Sequence, residues 1–157
     1  MARLSIVAVA GRLPAWAESA CAEYLKRMPR GYETQRIAVK PEPRGGGRRA
    51  PQLLAAEAKR VTAVLPPGDL RIALDERGSE FTTAQFAPRL QGWLAENAGV
   101  AFIIGGADGL DAAMLRASAL RLRLSSFTLP HALAQVLLCE QLYRAASLLT
   151  GHPYHRA

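Results

Sequence analysis

Short, continuously apolar runs alternate along this chain with longer segments of mixed polarity. Residues 4–10 (LSIVAVA) form such a run, closed by Gly11, and read as a strand buried on both faces. Pro14 opens a helical stretch to Met28; a proline suits a first helical turn, where its missing N–H leaves no bond unmade. Residues 34–40 read as a second strand, and a helix from about residue 52 to 65 is stopped by Pro66-Pro67-Gly68. Between them, residues 41–51 (PEPRGGGRRAP) are the low-complexity stretch. Prolines bracket it and three glycines stand among three arginines, which predicts a mobile basic loop.

The same order then recurs. A strand over 70–75 precedes a helix within 83–97, where Pro88 marks either a late start or a kink. A strand over 100–104 runs into Gly105-Gly106. A helix over about 110–119, a strand over 121–129 and a long helix from His131 to about Thr150 complete the chain. There is no internal repeat. Strands alternating with helices predict one α/β domain over residues 1–157, with a mostly parallel, helix-covered sheet.

The last helix is unusual in being apolar over most of its circumference, through Leu133, Val136, Leu137, Leu138, Leu142, Leu148 and Leu149. Such a helix is buried on several sides, and in a chain this small that suggests a subunit interface. Its polar stripe is Glu140, Arg144 and Ser147. The end of the chain, Gly151-His152-Pro153-Tyr154-His155, concentrates ring-bearing residues where chain ends ordinarily drift toward simple polar ones.

Composition narrows the class. Half the residues are apolar and 21% are charged, a soluble globular balance in a length of 157 that fits one domain. No apolar run approaches the roughly 18–20 residues of a membrane span, and no secretory signal is visible, so a cytoplasmic protein is expected. Cys21 and Cys139 match no metal spacing and read as free buried thiols. The net charge of +7 is uneven: residues 1–60 hold twelve Lys and Arg against five Asp and Glu, and residues 61–157 hold eight against eight. That asymmetry fits an anionic partner met by the N-terminal part, or a surface from an arginine-rich proteome.

Three segments follow strand C-terminal ends, where open α/β sheets place ligands. The first, Ile72-Ala73-Leu74-Asp75, is either a ligand wall or a buried strand leaving its sheet. The second, Gly105-Gly106-Ala107-Asp108-Gly109, lets backbone approach a ligand with no Cβ in the way, or simply makes a tight turn. It is neither a Walker loop nor a G-x-G-x-x-G fingerprint. It fits the short G-x-x-G of KH modules, but Asp108 carries the wrong charge for a phosphate. The third, Ser125-Ser126-Phe127-Thr128-Leu129-Pro130, can offer backbone groups to a ring edge with an apolar wall, or be a strand end before a helix cap. His131, His152 and His155 lack acidic or cysteine partners at ligand spacing, so no metal is expected. Tyr154 and His155 suit a stacking and hydrogen-bonding lid over a splayed base.

The run VAFIIGGADGL, followed by RLRLSSFTLPHALAQVLLCEQLYRAASLLTGHPYHRA from Arg121, closely resembles the bacterial ribosomal RNA large-subunit methyltransferase H family. These are S-adenosylmethionine-dependent enzymes of the SPOUT class that methylate N3 of a pseudouridine in large-subunit ribosomal RNA. The resemblance implies a C-terminal trefoil knot, a cofactor-binding region over about residues 70–157, and a homodimer whose sites are each completed by the partner's tail. It implies action on assembled ribosomes. It assigns S-adenosylmethionine to Leu74, Gly106, Ser125, Ser126, Phe127, Thr128, Leu129 and Pro130. Arg144, otherwise an i,i+4 partner of Glu140, then reaches toward RNA with a forked donor. His155 is a candidate base because its ordinary pKa lies near neutrality, and Tyr154 or Arg144 can stabilise charge on the ring oxygens. The family pattern usually has arginine where this chain has Gln135. Two rival readings stand beside this one: a non-enzymatic RNA-binding or ribosome-associated module, and a methyltransferase acting on another RNA.

Overall fold

The computed structural model describes residues 1–156, with side chains through Tyr154. Five strands form one sheet among the described residues: β1 (Ala2–Val9), β2 (Tyr32–Val39), β3 (Asp69–Ser79), β4 (Gly99–Ile104) and β5 (Leu120–Leu122). Their order is β2-β1-β4-β3-β5 and each neighbouring pair is parallel. The connecting helices are α1 (Ala15–Lys26), α2 (Ala50–Val64), α3 (Thr83–Glu96), α4 (Ala112–Ala117) and α5 (His131–Thr150), with a 3-10 turn at Pro153–Arg156.

Both faces of the sheet are covered, which is why its central strands are apolar throughout. In β1, Leu4, Ile6 and Ala8 face one apolar cluster and Val7 and Val9 face another. The first cluster takes Cys21 from α1, Phe86 and Leu90 from α3, and Leu138 and Leu142 from α5. The second takes Val61 from α2 and Met114 from α4. Each fully buried Leu, Ile or Phe contributes about 1.5–3 kcal/mol, and β1 and β4 supply buried apolar residues to both clusters. The cysteines are free and buried. Leu133 and Leu137 belong to neither cluster. No helix among the described residues is long and apolar enough to cross a membrane.

The helix after β1 leads to β2 on one side, whereas the chain after β4 passes through α4 to β5 on the other. The two connections diverge at the carboxyl ends of adjacent strands, the place where open α/β sheets leave a crevice.

Three sequence expectations need correction, and one of the two readings of Pro88 falls. The strand expected over 121–129 ends at Leu122, because β5 is an edge strand and Arg123 turns its side chain to Glu80 at 2.8 Å. Among the described residues, 124–129 make no backbone–backbone hydrogen bond. β3 extends well past Asp75: Leu74 and Ser79 both pair with Leu122, so residues 75–78 bulge from the ladder. Pro88 does not delay α3. Thr82 caps the helix, its Oγ1 accepting from Gln85 N at 3.1 Å while Gln85 Oε1 accepts from Thr82 N at 2.9 Å, and that capping box sets the start. The basic loop is tethered as well. Arg44 donates to the buried Glu57 at 2.7 Å and to Asp108 at 2.9 Å, and Arg48 pairs with Glu42 at 2.5 Å.

The bulge generates a test. A Cβ on Gly78 would meet Arg121 O at 2.5 Å, whereas a Cβ on Gly92, exposed in α3, meets nothing within 4 Å. Gly78→Ala is expected to destabilise the protein by about 1–3 kcal/mol, and Gly92→Ala to stabilise it by about 0.5–1 kcal/mol. Urea denaturation checks both signs.

Candidate functional site

A cleft of about 720 Å³ opens at the carboxyl ends of β3, β4 and β5. Its apolar walls are Leu74, Ile104, Leu122, Leu124 and Leu129. One rim is the glycine turn. Gly109 N donates to Gly106 O at 3.1 Å, and Gly109 has φ +79°, a conformation that favours glycine. A Cβ on Gly105 would lie 2.4 Å from Gly109 O, so the turn closes only with glycine there. A Cβ on Gly106 would point toward Val9 O at 3.3 Å, into the end of β1. A side chain at Gly106 therefore presses first on the sheet.

The opposite rim is the irregular run after β5. Phe127 N–H donates to Ser125 Oγ at 2.9 Å, and the Phe127 ring stands 82% exposed. The other N–H groups of 124–129 have no hydrogen bond among the described residues, so they and the carbonyls of the run are available to a ligand edge. Asp75, Glu76 and Asp108 put carboxylates on the cleft beside Arg77, Arg121 and Arg123. Asp75 is held 3.7 Å from Arg121 and accepts from Arg77 N at 3.0 Å. Apolar walls and free backbone groups suit a flat heterocyclic ligand, and the rim carries three carboxylates beside three arginines.

His131, in the first turn of α5, lines the same cleft. Gln135 Oε1 accepts from Arg36 Nη2 at 3.1 Å, so its amide N–H faces His131 Nε2 at 2.7 Å. That network makes Nε2 the acceptor and puts the ring proton on Nδ1. Burial lowers the His131 pKa, and the bond to Gly105 only partly opposes that, so the ring is neutral near pH 7.

Of the residues singled out for a cofactor, Leu74, Gly106, Ser125, Phe127, Thr128 and Leu129 line the cleft. Ser126 is exposed in the same run, and Pro130 caps α5; neither lines it. Arg144 and Tyr154 come together elsewhere. The Arg144 guanidinium lies 4.8 Å from the centre of the Tyr154 ring and its Nε donates to Glu140 at 2.6 Å. The Tyr154 ring packs 4.4 Å from that of Tyr143, and burial, with a hydrogen bond to Tyr24, pushes its phenol up to about 12. Ala134 is the last cleft residue on α5, so Arg144 stands about 15 Å further along the helix at 1.5 Å per residue. The His155 side chain lies outside the described residues. Sequence reasoning placed Gly105 in the second ligand segment but weighed His131 only as a metal ligand; the position of His131 just after the capping Pro130 was the available signal.

A family model described as a predicted SPOUT methyltransferase matches residues 2–155. A protein of Bordetella pertussis named ribosomal RNA large subunit methyltransferase H is 50% identical over 155 residues, covering 99% of each chain. One of the same name from Verminephrobacter eiseniae is 53% identical over 154 residues, covering 98% of this chain and 99% of its own. A solved structure of a probable methyltransferase from Bordetella pertussis matches with a TM-score of 0.58 at 19% identity, over 92% of this chain and 95% of that one. A probable methylase family protein from Haemophilus influenzae gives 0.56 at 16%, over 97% and 69%. At these identities the structural likeness speaks to the fold alone.

The lowered pKa of His131 has a sign that can be checked. Below the ordinary value of about 6.5 the unfolded ring takes a proton that the folded ring resists, so stability falls as pH drops through that region. The arginine-paired Glu18, itself lowered from 4.5, adds its loss only below that value. Melting temperatures from pH 7.5 to 5 should therefore decline in the wild type, and His131→Gln should flatten the decline.

Proposed function

The chain belongs to the SPOUT methyltransferase family, beside the ribosomal RNA large subunit methyltransferases H, and from that premise we propose that it methylates N3 of a pseudouridine in large-subunit ribosomal RNA. One observation carries the reading: three strand-end segments, distant in sequence, converge on one cleft whose rim has backbone groups to spare. S-adenosylmethionine, the proposed cofactor, supplies when bound a methyl group on a positively charged sulfur. Leu74, Ile104 and Leu129 provide apolar walls for its ring, and the backbone of 124–129 reads the ring edge. The backbone of the turn at Gly106 borders it, and the Glu76 carboxylate on the cleft favours its cationic centre. Ser126 and Pro130 hold the run in shape. The region from about residue 70 is a trefoil knot on this reading, with 123–130 passing beside the glycine turn.

Arg144, Tyr154 and His155 act on the RNA. Because the phenol of Tyr154 keeps its proton to about pH 12, it donates a hydrogen bond to a ring oxygen and does not serve as the base. His155 takes the N3 proton. The rise of about 15 Å along α5 from the last cleft residue of its own chain to Arg144 supports a homodimer in which each tail completes the partner's site. Leu133 and Leu137, outside both core clusters, are the apolar surface for that contact. The substrate is the assembled ribosome in the cytoplasm, met by the positive excess of residues 1–60.

Mass spectrometry of large-subunit ribosomal RNA, from cells with and without this gene, should show one methylated pseudouridine only when the gene is present; an unchanged pattern refutes the reading. Arg144→Ala should leave S-adenosylmethionine affinity within about twofold and reduce ribosome methylation about 100-fold, by calorimetry and tritium transfer. Sedimentation at micromolar concentration should give twice the chain mass of 16.9 kDa. A clean monomer removes the shared site.

A further inference from the structure

A second cleft, of about 530 Å³, opens at the carboxyl ends of β1 and β2, on the other side of the first turn of α5. Nothing in the donor reading uses it. Ala10 and Ala38 line it as short side chains at strand ends, which leaves room for something flat. Its polar edge is a set of interlocked groups. Glu18 accepts from Arg36 Nη1 at 2.8 Å and from Nη2 at 3.3 Å, and Nη2 also donates to Gln135 Oε1 at 3.1 Å. Gln135 is only 3% exposed, so the cleft is backed by a buried amide already oriented on both sides. Arg36 Nε is buried without a partner, which leaves the guanidinium short of one acceptor. Arg12, exposed in the loop after β1, stands at the mouth.

The two clefts are neighbours. Ala8, which lines the second, is the register partner of Ile104, which lines the first. Adjacent strands lie about 4.8 Å apart, and the Gln135–His131 contact of 2.7 Å is the side-chain wall between them. Group transfer needs reacting atoms brought to about 3–3.5 Å, so two ligands in these clefts meet beyond that wall, at the open strand ends.

Resting on the proposed methyltransferase reading, we infer that this second cleft is the acceptor subsite and receives the target base, a uracil-type ring splayed from its RNA strand. The polar edge selects it. A phosphate entering here meets the carboxylate of Glu18 and is repelled, whereas a uracil-type edge alternates carbonyls with N–H groups. The carbonyls accept from Arg36, and the N–H groups donate to Glu18. The alanines leave the ring its flat seat, and Arg12 meets the strand backbone outside.

Ala38 is exposed on the edge strand β2, so Ala38→Phe fills the cleft without entering the core. The variant should bind S-adenosylmethionine within about twofold of wild type, keep the wild-type sedimentation coefficient, and lose about 100-fold in kcat/KM for ribosomes. Arg36→Ala should raise KM for ribosomes about tenfold, and Arg36→Lys, lacking the fork, should recover only part of that. Normal methylation by a folded Ala38→Phe protein overturns the inference. So does an equal loss of donor binding, which gives the cleft to the donor. A shift of Ala38→Phe to a monomer also overturns it, and gives the cleft to a second copy of the chain. If Ala38→Phe does not fold, wild-type kinetics in Arg36→Ala decide against it. Wild-type protein that neither binds donor nor methylates ribosomes fails earlier, at the functional reading itself.

Discussion

The parallel pairing of β1 with β4 is the constraint on which the rest of this molecule depends. Leu4 to Ala8 run in register with Val100 to Ile104, buried on both faces, and the helices of both layers are packed against this pair. Because both strands are saturated with apolar contacts, their ends are fixed in space to within the slack of a packed core. Where they stop, at Ala10-Gly11 and at Gly105-Gly106, the chain turns in opposite directions. The opening left between the turns is thus a product of topology before any side chain is chosen for chemistry. What the side chains decide is how the opening is divided, and the first turn of α5 divides it: His131 faces one cleft and Gln135 the other.

Electrostatics ties the periphery to that centre. Glu57, buried on α2, accepts from Glu42 N at 2.9 Å and from Arg44 at 2.7 Å, and the same guanidinium reaches Asp108 in the glycine turn. One arginine thereby joins the glycine-rich loop, a helix of the outer layer and the rim of the cleft. An ion pair with one buried partner is costly to break, because the buried charge loses its compensation. The arginine excess of the N-terminal part consequently serves two ends. Arg36, Arg44, Arg48 and Arg60 are spent on carboxylates of the chain itself, while Arg12, Arg30 and Arg49 are exposed. A count of formal charge does not separate these two groups.

The alternation of strands and helices was legible along the whole chain, since buried parallel strands leave apolar runs that turn-forming residues punctuate. The segments that line the larger cleft were legible too, because each follows a strand carboxyl end where an α/β sheet leaves a crevice. What the pattern hid were events set by partners in space. RLRLSSFT alternates as a strand does, yet it stops at Leu122 because no further strand lies beyond β5. The bulge at 75–78 exists because Leu74 and Ser79 compete for one partner, and no local signal announces that. The role of His131 depends on Arg36, ninety-five positions away in sequence, orienting Gln135. Such a relay is invisible until the helix is laid across the strand ends.

Helix α5 runs unbroken from His131 to Thr150. Its first turn is committed to the clefts of its own chain, and its later turns carry Arg144, with the folded-back Tyr154 ring over the guanidinium. A helix fixes that separation at 1.5 Å per residue, and no loop motion shortens it. Leu133, Leu137, Glu140 and Arg144 fall at steps of four, three and four along one face, and none of them belongs to the core clusters. A second copy of that face laid antiparallel exchanges the two ends, bringing the arginine and tyrosine of one chain to the clefts of the other. On the proposed dimer, the same apolar surface that joins the subunits also measures out the distance between donor cleft and RNA-contacting tail. Binding a partner and completing the site then become a single requirement on one helix.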